Sequence, residues 1–423
     1  MSSTRLKFLS HIEMGQSPSS EDCYEEPFQG LPFYQGTAEF GAEVPTPKSY
    51  CAIPPKIANE GDILFSVRAP VGEININISK SGIGRGLCAI ACSEHINSRF
   101  LWWALHDSRV QLKLVSTGST YEAVAAEDVE NMLIPSHALE TQTKIANYLD
   151  RKTAELDQLI GAKQRLLKLL DEKKRALIAR AVTRGLDPAV PLKDSGIPWL
   201  GMIPVHWEIE RTKWLLPEID ERSETGEEDL LSVSHLTGVT FRSEKDVNMF
   251  MAESLEGYKK CKAGDLVINT LWAWMGAMGV SPVDGIVSPA YNVYRPVSGI
   301  DPDYIDLLVR TPDFVCEITR YSKGVWSSRL RLYPEGLYEA SLPVPPLSEQ
   351  KEIVVEINKQ LKRFKELKSI TEKTIILLQE RRTALISAAV TGKLANEILN
   401  AGRDTQTNEP MPNPVGEHHP CLT

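Results

Sequence analysis

The sequence predicts an α+β fold with a pseudo-two-fold internal repeat, in which two globular domains alternate with two long helices. Three observations predict it: a helical segment that occurs twice without a gap, a heptad pattern in both copies, and a fainter repeat in the globular parts. Shifted forward by 208 positions, Gln142–Thr183 lands on Gln350–Thr391. Gln142, Ile145, Leu159, Leu169, Leu170, Glu172 and Ala176-Leu177-Ile178 meet Gln350, Ile353, Leu367, Leu377, Leu378, Glu380 and Ala384-Leu385-Ile386. One seam spaced by seven reads Leu149, Leu156, Lys163, Leu170, Leu177, and its copy reads Ile357, Phe364, Thr371, Leu378, Leu385. A companion seam reads Ile145, Lys152, Leu159, Leu166 against Ile353, Gln360, Leu367, Thr374. Seams alternating by four and three are coiled-coil heptads.

Each helix needs a partner. At ~1.5 Å per residue, about 42 residues make a rod of roughly 63 Å, too long to bury its stripe against its own connections. The copy within the chain is the favoured partner, and a second chain is the competing one. Polar residues at Lys152, Lys163, Gln360 and Thr371 cost stability and fix register.

The chain divides in order as follows. Residues 1–141 form the first globular domain, with the turn Asn59-Glu60-Gly61-Asp62 feeding a strand at Ile63–Val67. Further strands are expected around Ile74–Ile78 and Leu87–Ile90, and one or two helices over Ser98–Val115. Gly82-Ile83-Gly84-Arg85-Gly86 has the wrong spacing and setting for a phosphate cradle. The first rod, 142–184, is stopped by Gly185 and Pro188. Residues 185–206 are a Pro- and Gly-rich linker, read as a structured collar because its core, 196–207, combines two tryptophans, Trp199 and Trp207, with prolines. The second globular domain, 207–349, repeats the first: Arg211–Leu215 answers Arg5–Leu9, Gly264–Ile268 answers Gly61–Phe65, and Gly324 answers Gly118. Ser348 is the expected N-cap of the second rod, 350–391. Residues 392–423 read as a disordered tail, and its His418-His419-Pro420-Cys421 as part of that tail and not a metal site.

Composition narrows the function. Hydrophobic residues at 42% and charged residues at 24% are ordinary for a soluble globular protein. The start MSSTRLKFLS has no apolar core, and no run of about 18 apolar residues occurs, so a cytoplasmic protein is expected. Seven scattered cysteines are expected to be reduced. The net charge of −9 argues against unaided nucleic-acid binding. The rods run against that balance, with eleven Lys or Arg to five Asp or Glu over 142–184 and nine to five over 350–391. Solvated lysines on exposed helix faces and a phosphate-facing surface both account for this.

No catalytic constellation is recognisable: there is no P-loop, HExxH, nucleophile elbow or dinucleotide loop. Asp62 and Asp265 sit where backbone capping explains them. No catalytic, cofactor-binding or metal-ligating residue is therefore assigned. The globular domains do carry amide, hydroxyl, guanidinium and aromatic side chains beside glycine turns, the groups that read base edges and hold phosphates.

The chain resembles the specificity subunits of type I restriction–modification systems. The resemblance rests on Ile134-Pro135 through Gln142-xx-Ile145 and on Pro345-Pro346-Leu347-Ser348-Glu349-Gln350-xx-Ile353, the approaches to the two rods. Trp199-Leu200-Gly201-x-Ile203-Pro204-xx-Trp207 and the duplicated plan add to it. It covers residues 1–395. It implies two target-recognition domains, each reading half of a bipartite site in double-stranded DNA, and rods packed as an antiparallel coiled coil that spaces them. It further implies a non-catalytic role in DNA methylation and phage defence. Two modification (methyltransferase) subunits would bring S-adenosylmethionine, and restriction (helicase/nuclease) subunits ATP and Mg.

The DNA-binding candidates are Tyr34, Gln35, Thr37, Ser66, Arg68, Ser119 and Thr120 in the first domain. In the second they are Ser234, His235, Asn269, Thr270, Trp272, Ser327 and Arg329. The alternative is a coiled-coil scaffold or adaptor without DNA specificity.

Overall fold

In a computed structural model the repeat becomes two units, each with a globular part and its own stretch of paired helices. The structure describes residues 2–27, 30–115, 123–244, 254–325, 330–394 and 398. One unit comprises residues 1–163 and 373–423, the other residues 164–372. Ser119, Thr120, Ser327, Arg329, Gly118 and nearly all of the tail, His418–Cys421 included, lie outside the described residues.

The rods are single helices, Leu139–Arg184 and Leu347–Val390. Both therefore begin three residues earlier than the heptads alone suggest. Ser348 lies inside the first turn and is not the cap; the carbonyl of Pro346 accepts from the Gln350 amide and fills that position. Gly185 (φ 74°) ends the first rod as expected, its amide donating to the Ala181 carbonyl, and Gly392 (φ 73°) does the same for the second.

The rods run antiparallel. In the first unit Ile145, Ala146 and Leu149 pack with Ile386, Ala389 and Val390. In the second, Ala181 and Val182 share a core with Ile353, Val354 and Ile357. Ion pairs follow the same register: Asp157–Arg382 at 2.9 Å in the first unit and Asp171–Lys368 at 3.5 Å in the second.

The leading seam faces inward as expected. Leu149 and Ile357 are buried, and Leu156, Leu170, Leu177, Phe364, Leu378 and Leu385 are half-buried. The companion seam holds only in part. Ile145 and Ile353 are buried and Lys152, Gln360 and Thr374 half-buried, but Leu159, Leu166 and Leu367 are exposed, while Thr153 and Ile160 are buried one position further along. Residues on both flanks of the leading seam satisfy the four–three alternation, and away from the rod ends the flank that carries these leucines is left uncovered.

Both globular parts are built on the same four-stranded antiparallel sheet. In the first the strand order is Ser10–Met14, Leu87–Cys92, Ile63–Ser66, Ile74–Ile76. In the second it is Glu218–Ile219, Tyr291–Tyr294, Leu266–Asn269, Met278–Val280. The central strands, Ile63–Ser66 and Leu266–Asn269, are wholly buried, which explains their uninterrupted apolar runs. Asp62 and Asp265 cap the preceding turns through the amides of Asn59 and Lys262, and Asp265 also pairs with Arg295. A short antiparallel pair then leads into each rod: Ser3–Arg5 with Leu133–Pro135, and Glu208–Arg211 with Ser341–Val344.

The outer layers have diverged. The first unit has a five-stranded sheet made of Cys23–Tyr24, Ser49–Cys51, Leu31–Tyr34, Ser81–Ile83 and Ile57–Ala58. The second has two separate hairpin-like pairs, Leu231–Ser234 with Gly238–Phe241 and Lys259–Cys261 with Gly285–Val287.

One side chain in each unit clips rod to domain. Gln142 donates to the carbonyls of His137 (2.9 Å) and His95 (3.4 Å) and accepts from the Asn97 amide (2.8 Å). Gln350 makes the same three bonds to Pro345 (2.8 Å), Gly299 (3.1 Å) and Asp301 (2.8 Å). Within the collar, Leu192–Asp194 pairs with Met202–Pro204, and Leu200, Ile203 and Trp207 enter the core of the second unit.

Candidate nucleic-acid interface

In the first unit three backbone segments converge. The amide of Gly84 donates to the Tyr34 carbonyl, and that of Gly86 to the Gln35 carbonyl. Val67 donates to the Gly86 carbonyl and Val124 to the Val67 carbonyl, each about one normal bond length away at 2.9 and 3.0 Å. A Cβ at Gly86 would collide with the Gln35 carbonyl oxygen, so close backbone approach requires the glycine there.

On this frame the candidates separate. Gln35 is exposed and held by the Ser17 hydroxyl (3.0 Å); Thr37 opens the next turn, half-buried. Arg68 is exposed and its backbone bridges Ala123. Tyr34 drops out: it is 1% exposed, in a core with Leu64, Ile83 and Leu87, and burial pushes its phenol above the usual range. Ser66 drops out as well. Its hydroxyl, fully buried, donates to the Pro70 carbonyl and accepts from the Glu73 amide. Sequence reasoning missed Arg85, exposed at the tip of the glycine run between Gly84 and Gly86. The signal was there, a charged residue between two glycines, but the loop was weighed only as a cofactor motif.

The second unit places its candidates on two loops. Ser234 caps the turn between Leu231–Ser234 and Gly238–Phe241 through the Thr237 amide, leaving His235 exposed at the tip. Asn269 and Thr270 drop out, because both are buried and bond the local backbone, at Leu271 and Ala290. Trp272 is 50% exposed and stacks on Trp274 with ring centroids 6.2 Å apart. Leu271 and Met275 extend this exposed apolar loop.

The two units use the same scaffold position. Ser66 and Asn269 each end the central strand, and the loop after it is tied to the segment that leads toward the rod. The tie is Val124 N–H to Val67 O in one unit and Leu332 N–H to Thr270 O in the other, both 3.0 Å. Onto that shared frame the first unit puts Arg68 and the second puts Leu271 and Trp272.

Residues 5–168 match the family model described as Type I restriction modification DNA specificity domain. Over 167 residues the chain is 38% identical to a Methanocaldococcus jannaschii protein described as the type I restriction enzyme MjaX specificity subunit; the match spans 38% of this chain and 39% of that one. The type I restriction enzyme MjaVIII specificity subunit of the same organism is 24% identical over 363 residues, 81% of each chain. In fold, the chain is similar to one in a structure titled "Structural basis underlying complex assembly and conformational transition of the type I R-M system". The TM-score is 0.68 at 17% identity, covering 92% of this chain and 97% of that one. The HsdS subunit from Thermoanaerobacter tengcongensis gives a TM-score of 0.56 at 16% identity, covering 92% and 96%. None of these similarities supports the adaptor reading. Among the described residues no helix is long and apolar enough to cross a membrane.

Proposed function

We propose, from the premise that the chain is a member of the type I restriction–modification specificity-subunit family, that it reads a bipartite DNA site. Each globular part reads one half. The chain itself performs no chemistry: modification subunits bring S-adenosylmethionine and methylate adenine, and restriction subunits use ATP and Mg. The observation that carries this reading is the shared scaffold with unlike side chains. The same strand end and the same 3.0 Å tie present Arg68 in one unit and Leu271–Trp272 in the other. A scaffold repeated for stability alone has no reason to keep its strand end and tie while changing what the loop presents.

The chemistry of the loops fits. A guanidinium on a rigid loop makes bidentate bonds to guanine, worth ~1–3 kcal/mol of discrimination. An exposed indole on a rigid loop makes apolar contact with a thymine methyl group or a distorted step. Base methylation requires the adenine to leave the stack, which is work for the partner enzyme. The acidic balance of this chain leaves much of the phosphate contact to those partners.

Methylome sequencing of cells carrying the chain and its modification subunit tests this. A bipartite N6-methyladenine motif that needs both chains is expected. Arg68→Ala should relax one half of it and Trp272→Ala the other, each by roughly 5- to 150-fold in discrimination. Uniform loss of methylation from either substitution, with both halves still read, would sink the assignment.

The rods account for partner number. Each unit leaves leucines of its paired helices exposed, Leu159 and Leu377 in the first and Leu166, Leu169 and Leu367 in the second. Two like faces suit two copies of one partner, the modification subunit. Leu169→Glu and Leu377→Glu should each reduce modification subunits per chain from about two to about one by native mass spectrometry, with the helices intact. Retention of both subunits in the double variant would exclude these faces.

A further inference from the structure

The two rods repeat, yet one stretch of the coiled coil breaks the repeat in charge. In the first unit Asp157 pairs with Arg382 at 2.9 Å, and Ile160 is buried beside them. Shifted by the repeat, Asp157 becomes Lys365, Ile160 becomes Lys368, and Arg382 answers to Lys174. A closed ion pair over a buried isoleucine in one unit is thus three lysines in the other.

The packing follows the substitution. In the second unit a cavity of about 270 Å³ opens between the helices. Leu170, Leu361 and Phe364 form its apolar lining; Lys174, Lys365, Lys368 and Asp171 complete it. Asp171 reaches Lys368 only at 3.5 Å, and Lys174 and Lys365 have no carboxylate partner among the described residues. The groove leaves part of an apolar floor open to solvent, and like charges facing across a coiled coil weaken it. Pairing of the helices does not need this arrangement, since the first unit achieves it without one.

We infer that this groove docks an acidic segment of a partner protein, one apolar side chain filling the cavity and flanking carboxylates meeting the three ammonium groups. An apolar anchor in a pocket with a charged rim is the anatomy of a binding hot spot, and the excess of ammonium over carboxylate selects acidic partners and repels basic ones. The first unit has an ion pair and a buried isoleucine at the equivalent place, so the segment binds once per chain. The inference is independent of the DNA reading and of the leucine faces, which occur twice.

The test uses the full chain and a fluorescein-labelled peptide, Glu-Asp-Glu-Phe-Glu-Asp-Glu, followed by fluorescence polarisation. One peptide per chain should bind, weakening steeply as salt shortens the range of charge attraction. Lys365→Asp places a carboxylate opposite Lys174, as Asp157 stands opposite Arg382, and should weaken binding at least about tenfold while the helices keep their circular dichroism. Lys174→Asp, the reverse pair, should do the same. Serine in place of the peptide's phenylalanine should abolish binding to the unaltered chain, a comparison that needs no variant to fold. Unchanged binding in both lysine variants, two peptides per chain, or indifference to the phenylalanine would overturn the proposal. So would full displacement by non-target duplex DNA, which would assign the lysines to phosphate.

Discussion

Replacing Trp207 by alanine should destabilise the second unit by about 4 kcal/mol, the usual cost of emptying a fully buried large aromatic site. Trp207 is completely buried in the core that also holds Val182, Ile203, Leu342 and Ile353. Its indole N–H donates to the Glu349 carboxylate at 3.1 Å, and the same oxygen bonds His206 at 2.8 Å. A Cβ on Gly185 would touch the indole ring, so the end of the first rod closes over it. Removing the ring therefore loosens three things together: the collar, the end of one rod and the beginning of the other. Trp207→Phe keeps most of the apolar contact but loses the donor, and about 1–2 kcal/mol is expected for it. Because the chain has two units, one melting temperature is a poor readout. Amide hydrogen exchange is better: protection should fall across residues 164–372 and hold in the core of the other unit. Equal loss in both would show that the collar governs the whole chain.

How far the sequence carried the reading depended on what each residue does. The rods were legible because a 208-residue shift aligns them without a gap, and Gly185 marked where the first one stops. The companion seam was right at Ile145 and Ile353 and wrong beyond them, for a physical reason. Leu159, Leu166 and Leu367 are apolar but exposed, while the polar Thr153 is buried. Periodicity shows that a helix has a wide apolar stripe; it does not show which edge meets the partner helix and which is left exposed. The loops show the same limit from the other side. Ser66, Asn269 and Thr270 looked like recognition residues, yet short polar side chains at a strand end commonly bond backbone close by; Ser66 and Asn269 do so, and Thr270 bonds the Ala290 carbonyl. Arg68, Arg85 and Trp272 are too long or too apolar to be spent that way, and they face outward, as Gln35 and His235 also do. Length and polarity at a turn thus separate exposed side chains from scaffold better than hydrogen-bonding capacity alone.

Gln142 and Gln350 carry the second large effect, and neither its kind nor its size follows from the heptads. Each is a buried amide with three bonds, and in both copies the partners are two carbonyls and one amide of the backbone. Alanine at position 350 leaves the Asp301 amide and the carbonyls of Gly299 and Pro345 without that partner, in a place where water does not readily follow. Buried unpaired backbone groups cost ~1–3 kcal/mol each, and partial relaxation brings the expected total to about 3 kcal/mol. Gln350→Glu is the sharper probe, because it keeps the shape. A carboxylate still accepts from Asp301 but turns both donor bonds into repulsion between oxygens, so it should be at least as harmful as alanine unless it takes up a proton. Its stability should then recover as pH falls, while Gln350→Ala stays flat with pH. Urea unfolding of the two variants at successive pH values, followed by exchange at the Asp301 amide, separates these outcomes. Parallel pH profiles would mean that the glutamine serves as packing volume and not as the clip that sets each rod on its domain.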